Sequence, residues 1–201
     1  MIFNNKTIFI HYPKTGGNSI QDALREYSKD VIVRNSRGQD GIDRFGVYSF
    51  EGKNLRKHSS LQDYFNVFKK DVFNYKIFIT IRNPFDRLIS FYFSPHRGEQ
   101  VFDKQNFLRL VNKVPTLEHY ISFKECFWCK KKLFENITIL RYENLQEDFI
   151  KLSKQIGAEA VELPHRNKSV RKSYKAYYDD DLIDLVKKRH NYEINLGKYT
   201  F

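Results

Sequence analysis

The sequence predicts an α/β fold in which a central parallel sheet is flanked by helices on both faces. Two observations carry this. Short β-branched and aromatic runs without helical period, Lys6 to His11, Lys76 to Ile81 and Asn136 to Leu140, alternate with stretches whose apolar residues recur at helical spacing. The first and second of these runs also lead through Gly- or Pro-containing loops into helices, the order of a sheet whose crossovers cover both of its faces.

Along the chain, the strand ending at His11 is followed by a Gly-containing loop. A helix comes next, with Ile20, Ala23 and Leu24 on one side. Val31 to Val33 reads as a second short strand, and Arg34 to Gly46, polar and Gly-punctuated, as loop. Ser59 or Ser60 is placed to cap a helix over Leu61 to Phe68. Arg82-Asn83-Pro84 ends the next strand, and Pro84 suits the first turn of a helix carrying Leu88, Ile89, Phe91 and Tyr92, closed at Pro95. After the Asn136 strand, a helix over Asp148 to Ile156 stops at Gly157. The last helix spans Asp180 to His190, with Leu182, Ile183, Leu185 and Val186 as its buried stripe. No repeat or linker divides the chain, so residues 1–201 are expected to form a single domain.

At 201 residues and 41% hydrophobic composition, the chain can bury a core without disulfides or metals. No run approaches the ~20 apolar residues of a membrane helix. The N-terminus enters a strand-like segment directly, without a secretory leader, and a cytoplasmic protein is expected. Lysine and arginine outnumber acids 35 to 24, a net charge of +11. That excess suits either an anionic partner or a lysine-rich soluble surface. Cys126 and Cys129 form the one C-x-x-C pair; without a second pair they read as ordinary thiols rather than a zinc site.

Two loops carry the chemistry. In Pro13-Lys14-Thr15-Gly16-Gly17-Asn18-Ser19, the glycines admit close approach of the backbone to a ligand. Lys14 brings a full charge, Thr15, Asn18 and Ser19 bring side-chain donors, and the following helix adds its positive end. These are the parts of a phosphate cradle and make the domain P-loop-like. The nucleotide-triphosphate pattern G-x-x-x-x-G-K-[ST] is absent, because the lysine precedes the glycines. In Arg82-Asn83-Pro84-Phe85-Asp86-Arg87-Leu88-Ile89-Ser90, Arg82 stands at a strand end on the same edge, and Ser90 about two turns into the next helix. An arginine fork and a hydroxyl suit a phosphate monoester. A surface ion pair of Asp86 with Arg87 would account for those two residues but not for Arg82.

The pair P-K-T-G-G-x-S and R-N-P-x-D-R-x-x-S-x-Y resembles the motifs of the sulfotransferases that use 3'-phosphoadenosine-5'-phosphosulfate (PAPS). Arg141-Tyr142-Glu143-Asn144-Leu145 is similar to the family's R-Y-E-x-L segment. The run Leu163 to Ser169, followed by Tyr177-Tyr178, resembles the carbohydrate branch. The likeness extends over most of the chain and is weakest over 97–132, which the resemblance marks as an acceptor-side insertion. Asn18 stands where the family commonly has threonine, and its amide can still donate to a phosphate oxygen.

The resemblance implies transfer of the sulfuryl group from PAPS to an acceptor hydroxyl, on a carbohydrate, leaving adenosine 3',5'-bisphosphate (PAP). Lys14, Thr15, Gly16, Gly17, Asn18 and Ser19 would hold the 5'-phosphosulfate, and Arg82 and Ser90 the 3'-phosphate. Arg166 and Lys168, in a late loop, would add weaker nucleotide contacts, while Arg171 and Lys172 read as surface. Lys14 would stabilise the departing oxygen, and His58 would act as general base, with Glu51 in reserve and His11 packed at the strand end. No metal is implied. The partner is a small-molecule or glycan acceptor; neither nucleic acid nor a membrane span is expected, and no oligomeric state is implied. The alternatives are a P-loop nucleotide kinase and a non-enzymatic basic nucleic-acid-binding module.

Overall fold

A computed structural model of the chain describes residues 1–3, 5–28, 32–33, 44–45, 48–50, 53–94, 101–124, 134–158, 163 and 171–201. In order these form β1 (Ile2–Phe3), β2 (Thr7–Ile10), α1 (Gly17–Ala23), β3 (Ile32–Val33), β4 (Arg44–Phe45), β5 (Tyr48–Phe50), β6 (Lys53–Leu55) and α2 (Leu61–Phe68). Next come β7 (Lys76–Ile81), α3 (Pro84–Tyr92), α4 (Lys104–Lys113), α5 (Leu117–Ile121), β8 (Ile137–Arg141), α6 (Leu145–Ile156), α7 (Asp180–Arg189) and α8 (Asn191–Gly197).

The three expected strands are the parallel centre: β2 pairs with β7 and β7 with β8, Ile8 opposite Ile77 and Ile77 opposite Ile137. The full sheet order is β1-β2-β7-β8, and β1 is antiparallel, so the sheet is mixed at one edge. Side chains alternate across it with the period of two that extended backbone imposes. Ile8, Ile10, Ile77 and Ile79 pack with Leu61 and Tyr64 of α2 and Tyr120 of α5 on one face. Phe9, Phe78 and Leu140 pack with Ile20 of α1 and Phe149 and Leu152 of α6 on the other. A third cluster joins α3, α4 and α7 through Phe85, Leu88, Phe107, Val111, Leu182 and Val186.

The helices begin where local chemistry supplies caps. Ser60 and Asp63 form a reciprocal capping box at α2. At α3, Asn83 Oδ1 accepts from the Phe85 N–H and Pro84 opens the first turn. Asp103 and Asp179 cap α4 and α7, and Gly157 ends α6 in the left-handed conformation.

Several boundaries differ from the sequence expectation. Ile32–Val33 is a strand but pairs with β4 outside the central sheet, and β4 itself falls in the stretch read as loop. Helix α6 begins at Leu145, three residues before Asp148. The last expected helix is followed directly by α8, capped at His190. Among the described residues, no helix is long and apolar enough to cross a membrane.

Candidate active site

Strand β2 delivers the chain to His11, Tyr12 and Pro13, and the loop of Lys14 to Gly17 turns it into α1. Lys14 adopts φ 69°, left-handed backbone that costs a non-glycine residue about 1 kcal/mol or more. The turn is braced by Thr15, whose buried hydroxyl donates to the Tyr12 carbonyl at 2.8 Å. That hydroxyl, expected to face a phosphate, is therefore committed to the loop itself. Lys14 Nζ donates to Ser94 Oγ at 3.3 Å, just beyond the end of α3.

Both glycines are required by close approach of the protein's own side chains. Gly16, at φ 86°, would place a Cβ 2.5 Å from Leu145 Cδ2 and 3.2 Å from the Tyr142 ring. A Cβ on Gly17 would meet the His11 ring at 2.4 Å. Gly16 caps α1 without a side chain; its carbonyl accepts from the Ser19 N–H at 3.0 Å, and no side-chain cap claims the other first-turn N–H groups.

Arg82 leaves the end of β7 on the same edge. Its Nη1 donates to the Lys14 carbonyl at 3.0 Å, and its guanidinium lies 3.9 Å from the centroid of the Tyr142 ring. Its other side binds Asp86 Oδ2, while Asp86 Oδ1 accepts from Arg171. Burial works to raise the Asp86 carboxyl, but the two arginines outweigh it and hold it below the usual carboxylate range. Ser90, buried on α3, stands two turns on from Arg82. Asp86 thus pairs with Arg82 and Arg171, not with Arg87, and Arg171 is not the surface residue the sequence suggested: its side chain is only 10% exposed.

His58 precedes the Ser60 cap of α2, and its exposed ring meets His11 edge-on, with centroids 4.7 Å apart. Its Nδ1 lies 2.9 Å from the His11 carbonyl oxygen. A carbonyl can only accept, so Nδ1 carries the proton there, and the lone pair of a neutral His58 sits on Nε2. Neighbouring Lys57 donates to Asn18 Oδ1, which leaves the Asn18 NH2 group for a ligand. His11 is buried beneath these residues. Burial first, then the charges of His58 and Lys57, push its imidazole well below the ordinary range, so it is neutral.

The structure brings Lys14, Thr15, Gly16, Gly17, Asn18, Arg82 and His58 into one connected cluster, with Ser90 on the helix that follows Arg82. Arg166, Lys168, the side chain of Glu51, Cys126 and Cys129 lie outside the described residues. Among the described residues, no group of three or more His, Cys, Asp or Glu side chains gathers as a metal site. Sequence reasoning assigned no role to Tyr142, which touches both loops; its only signal was its place in the Arg141-to-Leu145 segment.

The model of the sulfotransferase family matches residues 3–200. No curated protein matches the sequence. Among solved structures, mouse sulfotransferase SULT7A1 complexed with PAP is similar over 99% of this chain and 90% of its own, at 15% identity and a TM-score of 0.52. A sulfotransferase from Alicyclobacillus acidocaldarius aligns over 97% of this chain and 96% of its own, at 15% identity and a TM-score of 0.42.

Proposed function

Since the chain belongs to the sulfotransferase family, we propose that it transfers the sulfuryl group from PAPS to a carbohydrate hydroxyl by in-line displacement, releasing PAP. The observation that carries this reading is the 3.0 Å hydrogen bond from Arg82 to the Lys14 carbonyl, which brings together two anion-binding motifs 68 residues apart in sequence. A nucleotide with phosphates at both ends of its ribose needs two such motifs in contact. The PAP bound by the mouse protein of the same fold supports the choice of nucleotide.

In this reading, backbone N–H groups of Thr15 to Asn18, the Asn18 amide, the Ser19 hydroxyl and the Lys14 ammonium hold the 5'-phosphosulfate. Arg82 and Ser90 hold the 3'-phosphate, with Arg171 brought beside Arg82 by Asp86. Arg166 and Lys168 supply further nucleotide contacts from the late loop. Sulfuryl transfer asks little covalent work of the protein: donor and acceptor are aligned, charge on the departing phosphate is neutralised, and a proton is removed from the hydroxyl. Lys14 Nζ neutralises that charge after leaving Ser94. His58 Nε2 takes the proton, its ring oriented by the His11 carbonyl. Residues 97–132 shape the acceptor side, and the carbohydrate assignment rests on the resemblance of the Leu163-to-Ser169 segment.

The test is a pair of measurements on the purified chain. PAP should raise the melting temperature while ATP-Mg does not, and labelled PAPS should sulfate members of a glycan panel. Stabilisation by ATP-Mg alone would favour the nucleotide kinase instead.

A further inference from the structure

Beneath the site, four buried polar side chains from three separate elements meet. Arg87 of α3 is fully buried, its guanidinium 4.2 Å from the centroid of the Tyr12 ring. Arg87 Nε lies 3.5 Å from Glu193 Oε1, and Nη2 lies 3.5 Å from His190 Nδ1. The Tyr12 hydroxyl donates to Glu193 Oε2 at 3.0 Å, and His190 Nδ1 stands 3.4 Å from the same oxygen. Burial lowers the His190 imidazole below its ordinary range, against the pull of Glu193.

A buried ion pair seldom stabilises a fold more than apolar side chains of the same volume, and the 3.5 Å separation of this one is longer than a good hydrogen bond. What the network does is join parts. Tyr12 is the residue before Pro13-Lys14, and its carbonyl anchors the Thr15 hydroxyl. Arg87 lies on α3 between Arg82 and Ser90. Glu193 and His190 belong to the C-terminal helix pair.

We infer that Glu193 is a positioning residue for nucleotide binding: by holding Tyr12 and Arg87 together, it fixes the spacing between the Lys14 loop and helix α3, which carries Ser90 and is led in by Arg82. The inference rests on the proposed assignment of those two sites to the 5' and 3' groups of one nucleotide. A ligand with both phosphates gains from a fixed spacing, because binding at one end places the other; a ligand with one phosphate does not.

Tyr12→Phe, which keeps the ring under Arg87 but removes the bond to Glu193, and Glu193→Gln, which keeps the shape, test this. Affinities for PAP, adenosine 5'-monophosphate and adenosine 3'-monophosphate would be measured by calorimetry and ligand-observed NMR, alongside urea unfolding midpoints. The expected result is a roughly five- to tenfold loss for PAP in each variant, with both monophosphates within about twofold of the parent. Equal losses for all three ligands, or no loss for PAP, would overturn the inference. Should Glu193→Gln not fold, Tyr12→Phe decides. A parent that binds none of the three, or an Arg82→Ala variant with unchanged PAP affinity, overturns the site assignment instead.

Discussion

The Arg82 guanidinium donates to the backbone carbonyl of Lys14, so a residue at the end of β7 is fastened to the loop that follows β2. The same guanidinium is stacked on Tyr142 and paired with Asp86, which leaves it ordered before any ligand arrives. Arg82→Ala is therefore expected to keep the fold and lose PAP affinity by roughly tenfold or more, the scale of a charge-assisted pair. Arg171→Ala should lose less, because Asp86 retains Arg82. Calorimetry checks both, and equal affinities for parent and Arg82→Ala would reject the 3'-phosphate assignment.

His58 and Lys14 should fail in different ways. His58→Ala is expected to bind PAP nearly as well as the parent and to lose transfer by roughly 10²–10⁴, the usual contribution of a positioned base. Lys14→Ala should lose donor affinity and turnover together. Single-turnover transfer from labelled PAPS, read beside PAP binding, separates the two. Near-parental transfer by His58→Ala would shift attention to Glu51.

Gly17→Ala places a methyl group against the buried His11 ring, where its Cβ would stand 2.4 Å from ring atoms. Overpacking of this kind costs about 1–3 kcal/mol. Urea unfolding should show that loss, and a Gly17→Ala/His11→Ala double variant should be more stable than the sum of the two single changes. Additive losses would mean that the two positions are not in contact.

Acid should destabilise the chain earlier than its carboxylates alone would dictate. His11 and His190 both have folded values below 6.5, chiefly through burial, so the unfolded chain protonates them first as pH falls. Unfolding then takes up protons, and stability declines below about pH 6.5 by at most ~1.4 kcal/mol per pH unit for each histidine. Melting temperatures between pH 7.5 and 5.5 should fall, and His11→Gln should flatten that slope. An unchanged slope would show that His11 binds its proton alike in the folded and unfolded chain.

The strands and loops of the site were legible because each leaves a local signature. Apolar runs mark β2, β7 and β8, the Gly16-Gly17 pair marks the first loop, and Pro84 marks the start of α3. Helix α4 had its signal as well: Asp103 as cap, then Phe107, Leu110 and Val111 at helical spacing. The two-residue β1 and β4 are too short to carry any period, while β3 was marked by its β-branched run. The partnerships of charged groups were hidden for a different reason. Asp86 and Arg87 are adjacent in sequence but point to different partners, Asp86 to an arginine 85 residues on and Arg87 to Glu193 in α8. Only the packing of α3 against the C-terminal segment decides that division.

Helix α3 and its leading turn consequently serve two masters within nine residues. Asn83 receives no ligand role: its N–H donates to Glu143, its Oδ1 caps the helix and its Nδ2 reaches the Thr200 carbonyl. Both arginines are buried, but Arg87 points to Tyr12 and Glu193, and Arg82 to the Lys14 loop. A saturation scan of this stretch, sorted once for soluble yield and once for retention on immobilised nucleotide, would split one contiguous motif into interleaved classes. Positions 83, 84 and 87 would drop out in the first sort, and 82 and 90 only in the second.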